Sequence, residues 1–188
     1  QTLSSKNIKI VYDVDLVNDI WENRPALSEK PAFLLDVKYS GESLSSKLSR
    51  LRQKMEEASA TSHIMTSLDD IAWLLNIRGD DVAYSPLVLS YSVVTMDCVH
   101  LFIDESKLND EIKAEFAKET IVIHPYNDVY EFVKGLGANE TVMIDPRKIN
   151  YAIFNNIPLN VKRVEKDNPT ILFKAVKNEV ELANIRKS

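Results

Sequence analysis

Three histidines, a single cysteine and a scatter of carboxylates are the residues with chemistry to offer. His63, His100 and His124 lie far apart in the sequence. None has a second histidine or a carboxylate at metal-binding spacing such as H-E-x-x-H. Asp36, Asp69, Asp70, Asp80, Asp81, Asp104 and Asp145 fall mostly at expected strand ends or helix starts. A nuclease of RNase H-like fold gathers such groups around two metal ions, but helix capping explains them more simply. Ser67-Leu-Asp-Asp70 reads as a capping box and Asp145-Pro146 as a helix start. Cys98 sits in an apolar run and reads as a buried structural thiol. Lys134-Gly-Leu-Gly-Ala138 is a G-x-G fragment that follows a helix, whereas a dinucleotide loop follows a strand. No G-x-S-x-G turn is present. Nothing here is a strong catalytic signal.

One segment is unlike scaffold. Asn76-Ile-Arg-Gly-Asp-Asp-Val-Ala-Tyr-Ser-Pro86 is a polar loop between apolar segments, and loops on rigid scaffolds carry contacts. Arg78, Asp80, Asp81 and Tyr84 are its candidate cleft or interface residues. The plainer alternative is that Gly79 makes a turn and Arg78 pairs with a nearby aspartate.

Alternating elements must position that loop. Ile8 to Tyr12 reads as a short strand, Leu16, Val17, Ile20 and Trp21 recur at helical spacing, and residues 23–31 read as a linker. Leu44, Leu48, Leu51, Met55 and Ala58 form one helical stripe, with Lys47, Arg50, Lys54 and Glu57 outside it. His63 to Thr66 is a strand, followed by a helical turn from Ile71 to Leu75. Val88–Thr95 and Cys98–Ile103 form a hairpin around Met96-Asp97. Ile112 and Phe116 mark a helix, Thr120 to His124 a strand, and Val129 to Val133 a helix stopped by Gly135 and Gly137. Thr141 to Asp145 and Val161 to Glu165 are strands, the latter at an edge. Asn168-Pro169 opens a C-terminal helix. The order implies an α/β layer with a mixed sheet.

The 188 residues suffice for one domain that buries roughly 70% of its unfolded surface. A net charge of −5 with dispersed lysine and arginine argues against nucleic acid. One cysteine excludes an intrachain disulfide and favours a cytosolic setting. No apolar run is long enough for a membrane span.

The loop carries a resemblance. Leu68-Asp-Asp-Ile-Ala-Trp-Leu-Leu-Asn-Ile-Arg-Gly-Asp-Asp81, then Tyr84-Ser-Pro86, resembles the middle domain of the long, three-domain Xaa-Pro aminopeptidases (aminopeptidase P). The likeness continues through Ser90-Tyr-Ser-Val-Val-Thr95 and Leu101-Phe-Ile-Asp104. Trp21-Glu-Asn-Arg-Pro25 resembles the end of that family's first domain. Tyr39-Ser-Gly-Glu-Ser43 and Lys47-Leu-Ser-Arg-Leu-Arg52 resemble the opening of the middle domain, and Lys174-Ala-Val-Lys-Asn-Glu179 the start of the catalytic one.

The resemblance implies a mixed six-stranded sheet flanked by helices, the creatinase N-terminal fold with RNase H-like topology. It implies residues 1–30 as the end of a preceding domain plus linker, 31–168 as the non-catalytic domain, and 169–188 as a connecting helix leading into a catalytic domain. The parent would remove an N-terminal residue that precedes proline, with two divalent ions, usually manganese, held in the catalytic domain. Catalytic, cofactor and metal residues are then all expected outside this chain. Its partners would be the parent's first and catalytic domains, peptides with proline second, and a second subunit of a homodimer, all in the cytoplasm. A stand-alone peptide-binding or scaffold module of the same fold, as in histone chaperones, is the alternative; both ends of the sequence read as cut edges and favour the first reading.

Overall fold

The computed structural model describes residues 6–8, 11 and 14–187; the strand expected over Ile8 to Tyr12 runs across residues outside that set. Helix α1, Leu16–Ile20, is capped by the Asp15 carboxylate and buries none of its residues. No helix or strand occupies residues 21–32.

The domain is built on one sheet. Its strands are β2 (Ser62–Met65), β4 (Ser90–Thr95), β5 (Val99–Ile103), β6 (Ile121–His124), β7 (Thr141–Ile144) and β8 (Lys162–Glu165). They lie in the order β6-β5-β4-β2-β7-β8. The β4–β5 hairpin is antiparallel, and β4 pairs antiparallel with β2. The β5–β6, β2–β7 and β7–β8 pairs are parallel. The sheet is therefore mixed and six-stranded, with the charged β8 at one edge as expected. A two-residue ribbon, β1 (Phe33–Leu34) with β3 (Ile77–Arg78), stands apart and has no counterpart in the sequence reading.

Alternation along each strand sorts side chains between two helical layers. Met65, Val94, Leu101 and Met143 pack against Leu44, Leu48, Leu51 and Met55 of α3 (Leu44–Glu57), and against Ile112 and Phe116 of α5 (Asp110–Lys118). Ile64, Val93, Phe102, Val142 and Ile144 face the other way. They meet Val129 and Val133 of α6 (Val129–Lys134) and Ile153 of α7 (Tyr151–Asn156). Central β2 is buried along its whole length.

Three local expectations are corrected. Ser67 makes no side-chain cap on α4 (Leu68–Leu74), and the Asp70 carboxylate that would complete a capping box accepts from Thr170 instead. Asp145-Pro146 opens a single turn, not a helix; α7 starts later and Asn150 caps it. Lys47 does not lie outside the helical stripe but is almost fully buried. The Asn168-Pro169 start holds: Asn168 accepts from the Thr170 N–H at the head of α8 (Pro169–Ala175).

The final helix, α9 (Glu179–Lys187), returns onto α2 (Val37–Ser40). Asn178 donates through Nδ2 to the Ser40 carbonyl at 2.8 Å. Gly41 between them adopts φ +69°, and a Cβ there would fall 2.3 Å from Asn178 Oδ1. Only glycine satisfies both conditions.

Lys47 donates from Nζ to the Trp73 carbonyl at 2.8 Å and to Asn76 Oδ1 at 2.6 Å, with the Trp73 ring 4.4 Å away. Burial pushes the amine down from 10.5 to about 8. Two N–H donors remain in the neutral form, enough for both acceptors. A lysine depressed in the folded state lowers stability below pH 8, and that loss is relieved as pH rises from about 8 to 10.5. Relative to Lys47→Met, the unaltered chain should therefore gain about 2 kcal/mol between pH 7.5 and 10 in urea unfolding. An equal gap at both pH values would show that the amine titrates normally.

Candidate functional site

The loop from Asn76 to Leu89 is shaped by the chain on both sides. Asn76 adopts φ +52°, and its carbonyl accepts from Leu35 N–H at 2.7 Å, beside the β1–β3 ribbon. Gly79 owes its place to crowding, since a Cβ there would lie 2.6 Å from Val88 Cγ2. Gly79 has no positive φ; the left-handed residue in this loop is Tyr84, at φ +63°. A non-glycine residue there costs conformational energy. Tyr84 is fully exposed at the tip.

The four candidates divide into two pairs. Arg78 is not paired with an aspartate. Its Nη1 donates to the carbonyls of Ala72 and Ile77, closing the C-terminal end of α4, and burial pushes its guanidinium down. Asp81 is paired with Lys107 at 2.6 Å, with side chains 1% and 2% exposed. The same carboxylate oxygen accepts from Leu89 N–H at 2.7 Å. Burial opposes ionisation of Asp81, but Lys107 and the Leu89 N–H outweigh it and hold the carboxyl below its ordinary range. Asp80 and Tyr84 point outward, Asp80 in an exposed pair with Lys30. The inner pair holds the loop and the outer pair is presented by it.

Beside Asp81 lies a cavity of about 510 Å³ between the loop and the C-terminal end of β5, lined by Leu27, Ser28, Leu89, Asp104, Lys107 and Tyr126 among others. It is open and mixed in character, the kind of surface another polypeptide segment can enter.

The carboxylates at the ends of β2 and β7 are committed elsewhere. Thr170 donates to Asp70 Oδ1 at 2.7 Å, and Lys174 reaches the same oxygen at 2.6 Å. Asp145 accepts from the backbone N–H groups of Arg147 and Asn168 at 2.9 and 3.0 Å. His63, fully buried, places Nδ1 3.0 Å from the Met143 carbonyl and Nε2 3.2 Å from Asn168 Oδ1. Asp36 caps α2 and Asp104 caps a turn at Glu105–Lys107. Among the described residues, no three His, Cys, Asp or Glu side chains converge to hold a metal. These side chains do not fit a di-metal centre, and the nuclease arrangement finds no support in them.

A model of the creatinase/prolidase N-terminal domain matches residues 23–181. This chain belongs to that family. Xaa-Pro aminopeptidase 1 of Dictyostelium discoideum is 36% identical over 196 residues, covering 99% of this chain and 31% of that protein. Xaa-Pro aminopeptidase app-1 of Caenorhabditis elegans is also 36% identical, over 93% of this chain and 29% of its own length. A crystal structure of X-prolyl aminopeptidase from C. elegans, described as a cytosolic enzyme with a di-nuclear active site, superposes with a TM-score of 0.92 at 34% identity. It covers 100% of this chain, which covers 31% of it. An Xaa-Pro dipeptidase from Bacillus anthracis shares the fold, at a TM-score of 0.57 and 11% identity. The domain thus spans under a third of the curated aminopeptidases it resembles.

Sequence reasoning missed the clustering of Cys98, His100 and His124. Cys98 is half-buried at the hairpin turn, not sealed in the core. Cys98 and His100 share a strand face through their spacing of two, but the approach of His124 depends on the β5–β6 register.

The buried Asp81–Lys107 pair sets a measurable contrast. Asp81→Asn should cost about 3 kcal/mol at pH 7 by leaving Lys107 buried without its counter-charge, whereas Asp80→Asn should cost under about 0.5 kcal/mol. The advantage over Asp81→Asn is present above pH 3.8 and is lost as pH falls through the lower folded value. Urea unfolding of both variants at pH 7 and pH 3 checks it.

Proposed function

We propose that this chain is the non-catalytic middle domain of a metal-dependent Xaa-Pro aminopeptidase, which removes an N-terminal residue preceding proline. The observation that carries the reading is the superposition on the C. elegans enzyme over the whole of this chain but under a third of that one. Geometry supports the division of labour. The carboxylates and the buried histidine that could have done chemistry at the ends of β2 and β7 serve as internal hydrogen-bond partners. The two divalent ions, manganese in our reading, are assigned to a catalytic domain elsewhere in the parent, and no residue here is assigned to them.

The domain's part is geometric. The Arg78–Tyr84 segment faces the catalytic domain or the partner subunit of a homodimer, walls the cleft and restricts substrates to peptide ends. Arg78 and Asp81 act through position, and Asp80 and Tyr84 make the contact. A left-handed, fully exposed tyrosine at the tip of an internally braced loop supports this. Such side chains supply much of the energy at contact surfaces. We assign the parent to the cytoplasm, a reading supported by the description of the C. elegans relative as a cytosolic enzyme.

Two assays test the reading. With manganese and an Xaa-Pro peptide, the 188-residue chain should show no turnover while the full-length parent cleaves; metal-dependent hydrolysis by this chain alone would overturn the assignment. In the parent, Tyr84→Ala should lower kcat/KM for long peptides or weaken the dimer by about tenfold, roughly 1.4 kcal/mol. If neither moves, the loop's contact role is wrong.

A further inference from the structure

On the α6/α7 face of the sheet, Cys98, His100 and His124 stand in a line. Cys98 and His100 project from one face at a spacing of two, and His124 joins them because β6 pairs with β5 in parallel, opposite Phe102. The Cys98 Sγ lies 3.3 Å from His100 Nε2, and His100 Nδ1 lies 2.9 Å from His124 Nε2. Phe102 stacks on His124 and Phe132 of α6 packs on His100, with ring centroids 4.9 and 4.5 Å apart. The Thr95 hydroxyl sits 3.4 Å from the sulfur. A cavity of about 440 Å³ lined by Thr95, His100, Phe132, Glu131 and Glu140 among others adjoins the imidazole.

The order of contacts decides what the cluster can do. Sulfur and His124 address opposite nitrogens of the His100 ring, so the three donors do not close on one point and do not form a chelate. In the tautomer where Nε2 accepts the S–H, Nδ1–H donates to His124. That is a nucleophile, a base in hydrogen-bond reach and a group orienting the base.

We propose that Cys98 is a nucleophilic thiol that exchanges with small disulfides, with His100 as its base and His124 as a positioning residue. The S–H proton passes to His100 Nε2, and the thiolate attacks one sulfur of the disulfide. A new S–S bond to Cys98 forms as the original one breaks, and the departing thiolate takes the proton back from the imidazolium. The carboxylate of Glu140, with Glu131 paired to Lys134 alongside, favours a disulfide that carries amines over one that carries carboxylates.

Cys98 is the only cysteine in the sequence, so labelling of the 188-residue chain reads this site alone. Iodoacetamide, an uncharged probe, is followed by mass spectrometry from pH 6 to 10, on the folded chain and in urea. The charged and titratable groups near the pair include Asp97 beside Cys98 in the hairpin turn, His124 on β6, Glu131 and Lys134 on α6, Glu140 before β7, and Arg52 of α3, which donates to the Thr95 carbonyl. The folded thiol should react roughly tenfold faster than the unfolded one at pH 6.5, with its rate profile displaced to lower pH. His100→Gln should return the profile to that of an ordinary thiol, and His124→Gln should displace it part of the way. A change of exposure alone would scale the profile without shifting it. A folded rate at or below the unfolded rate at pH 6.5, or an unshifted His100→Gln profile, overturns the proposal. Should His100→Gln fail to fold, the comparison of folded and unfolded wild type still decides. Cystamine should outpace 3,3′-dithiodipropionate, an aliphatic disulfide that carries carboxylates and leaves with comparable ease, with Glu140→Gln narrowing the gap; equal rates would overturn the preference for amines.

Discussion

The placement of the C-terminal helices depends on polar groups buried at the end of the central strand. His63 on β2 bonds to the Met143 carbonyl of β7 and to Asn168. Asn168 donates its backbone N–H to Asp145, Thr170 bonds to Asp70, and Lys174 closes on Asp69 and Asp70. Together these links tie β2, β7 and α4 to α8 and its start. Buried polar groups are tolerated only when partnered, so displacing α8 would strand several of them together. Burial pushes the His63 imidazole down, while its two hydrogen bonds and the carboxylates of Asp70 and Asp145 pull it upward. Desolvation likewise works against the charge of Lys174, but its aspartate partners prevail and raise it.

The same economy governs the loop on the other side of α4. Asp81 and Lys107 are removed from water together, and their pairing ties the loop to the end of β5. Arg78 closes the adjoining helix end. With Asp81 and Arg78 held within the domain, Tyr84 is left fully exposed and Asp80 sits in a surface pair with Lys30. A loop braced from within in this way would lose little conformational freedom in the contact role proposed for it.

Helix α3 and the hairpin were legible because periodicity is a local property. The stripe from Leu44 to Met55 repeats at helical spacing, and the apolar runs around Met96-Asp97 alternate as strands do. Lys47 escaped the pattern: a long stem can pass beneath a helix, and whether its amine finds acceptors depends on Trp73 and Asn76. Asp70 and Asp145 misled for a related reason. Next to a helix start a carboxylate has a local partner within reach; Asp145 keeps one in the Arg147 N–H but adds Asn168, 23 residues on, while Asp70 is taken by Thr170, 100 residues away.

Residue types and spacing alone thus determined the mixed α/β character, the edge position of β8, the Asn168-Pro169 helix start and the singling out of the Asn76–Pro86 loop. Tertiary structure decided which carboxylates brace the interior, that Arg78 and Asp81 face inward while Tyr84 faces out, and that His124 stands beside His100. The physical reason is range. Periodicity, capping and turn chemistry act over a few residues and are written along the chain, whereas a buried charge selects its partner through register and packing, which exist only once distant strands have met.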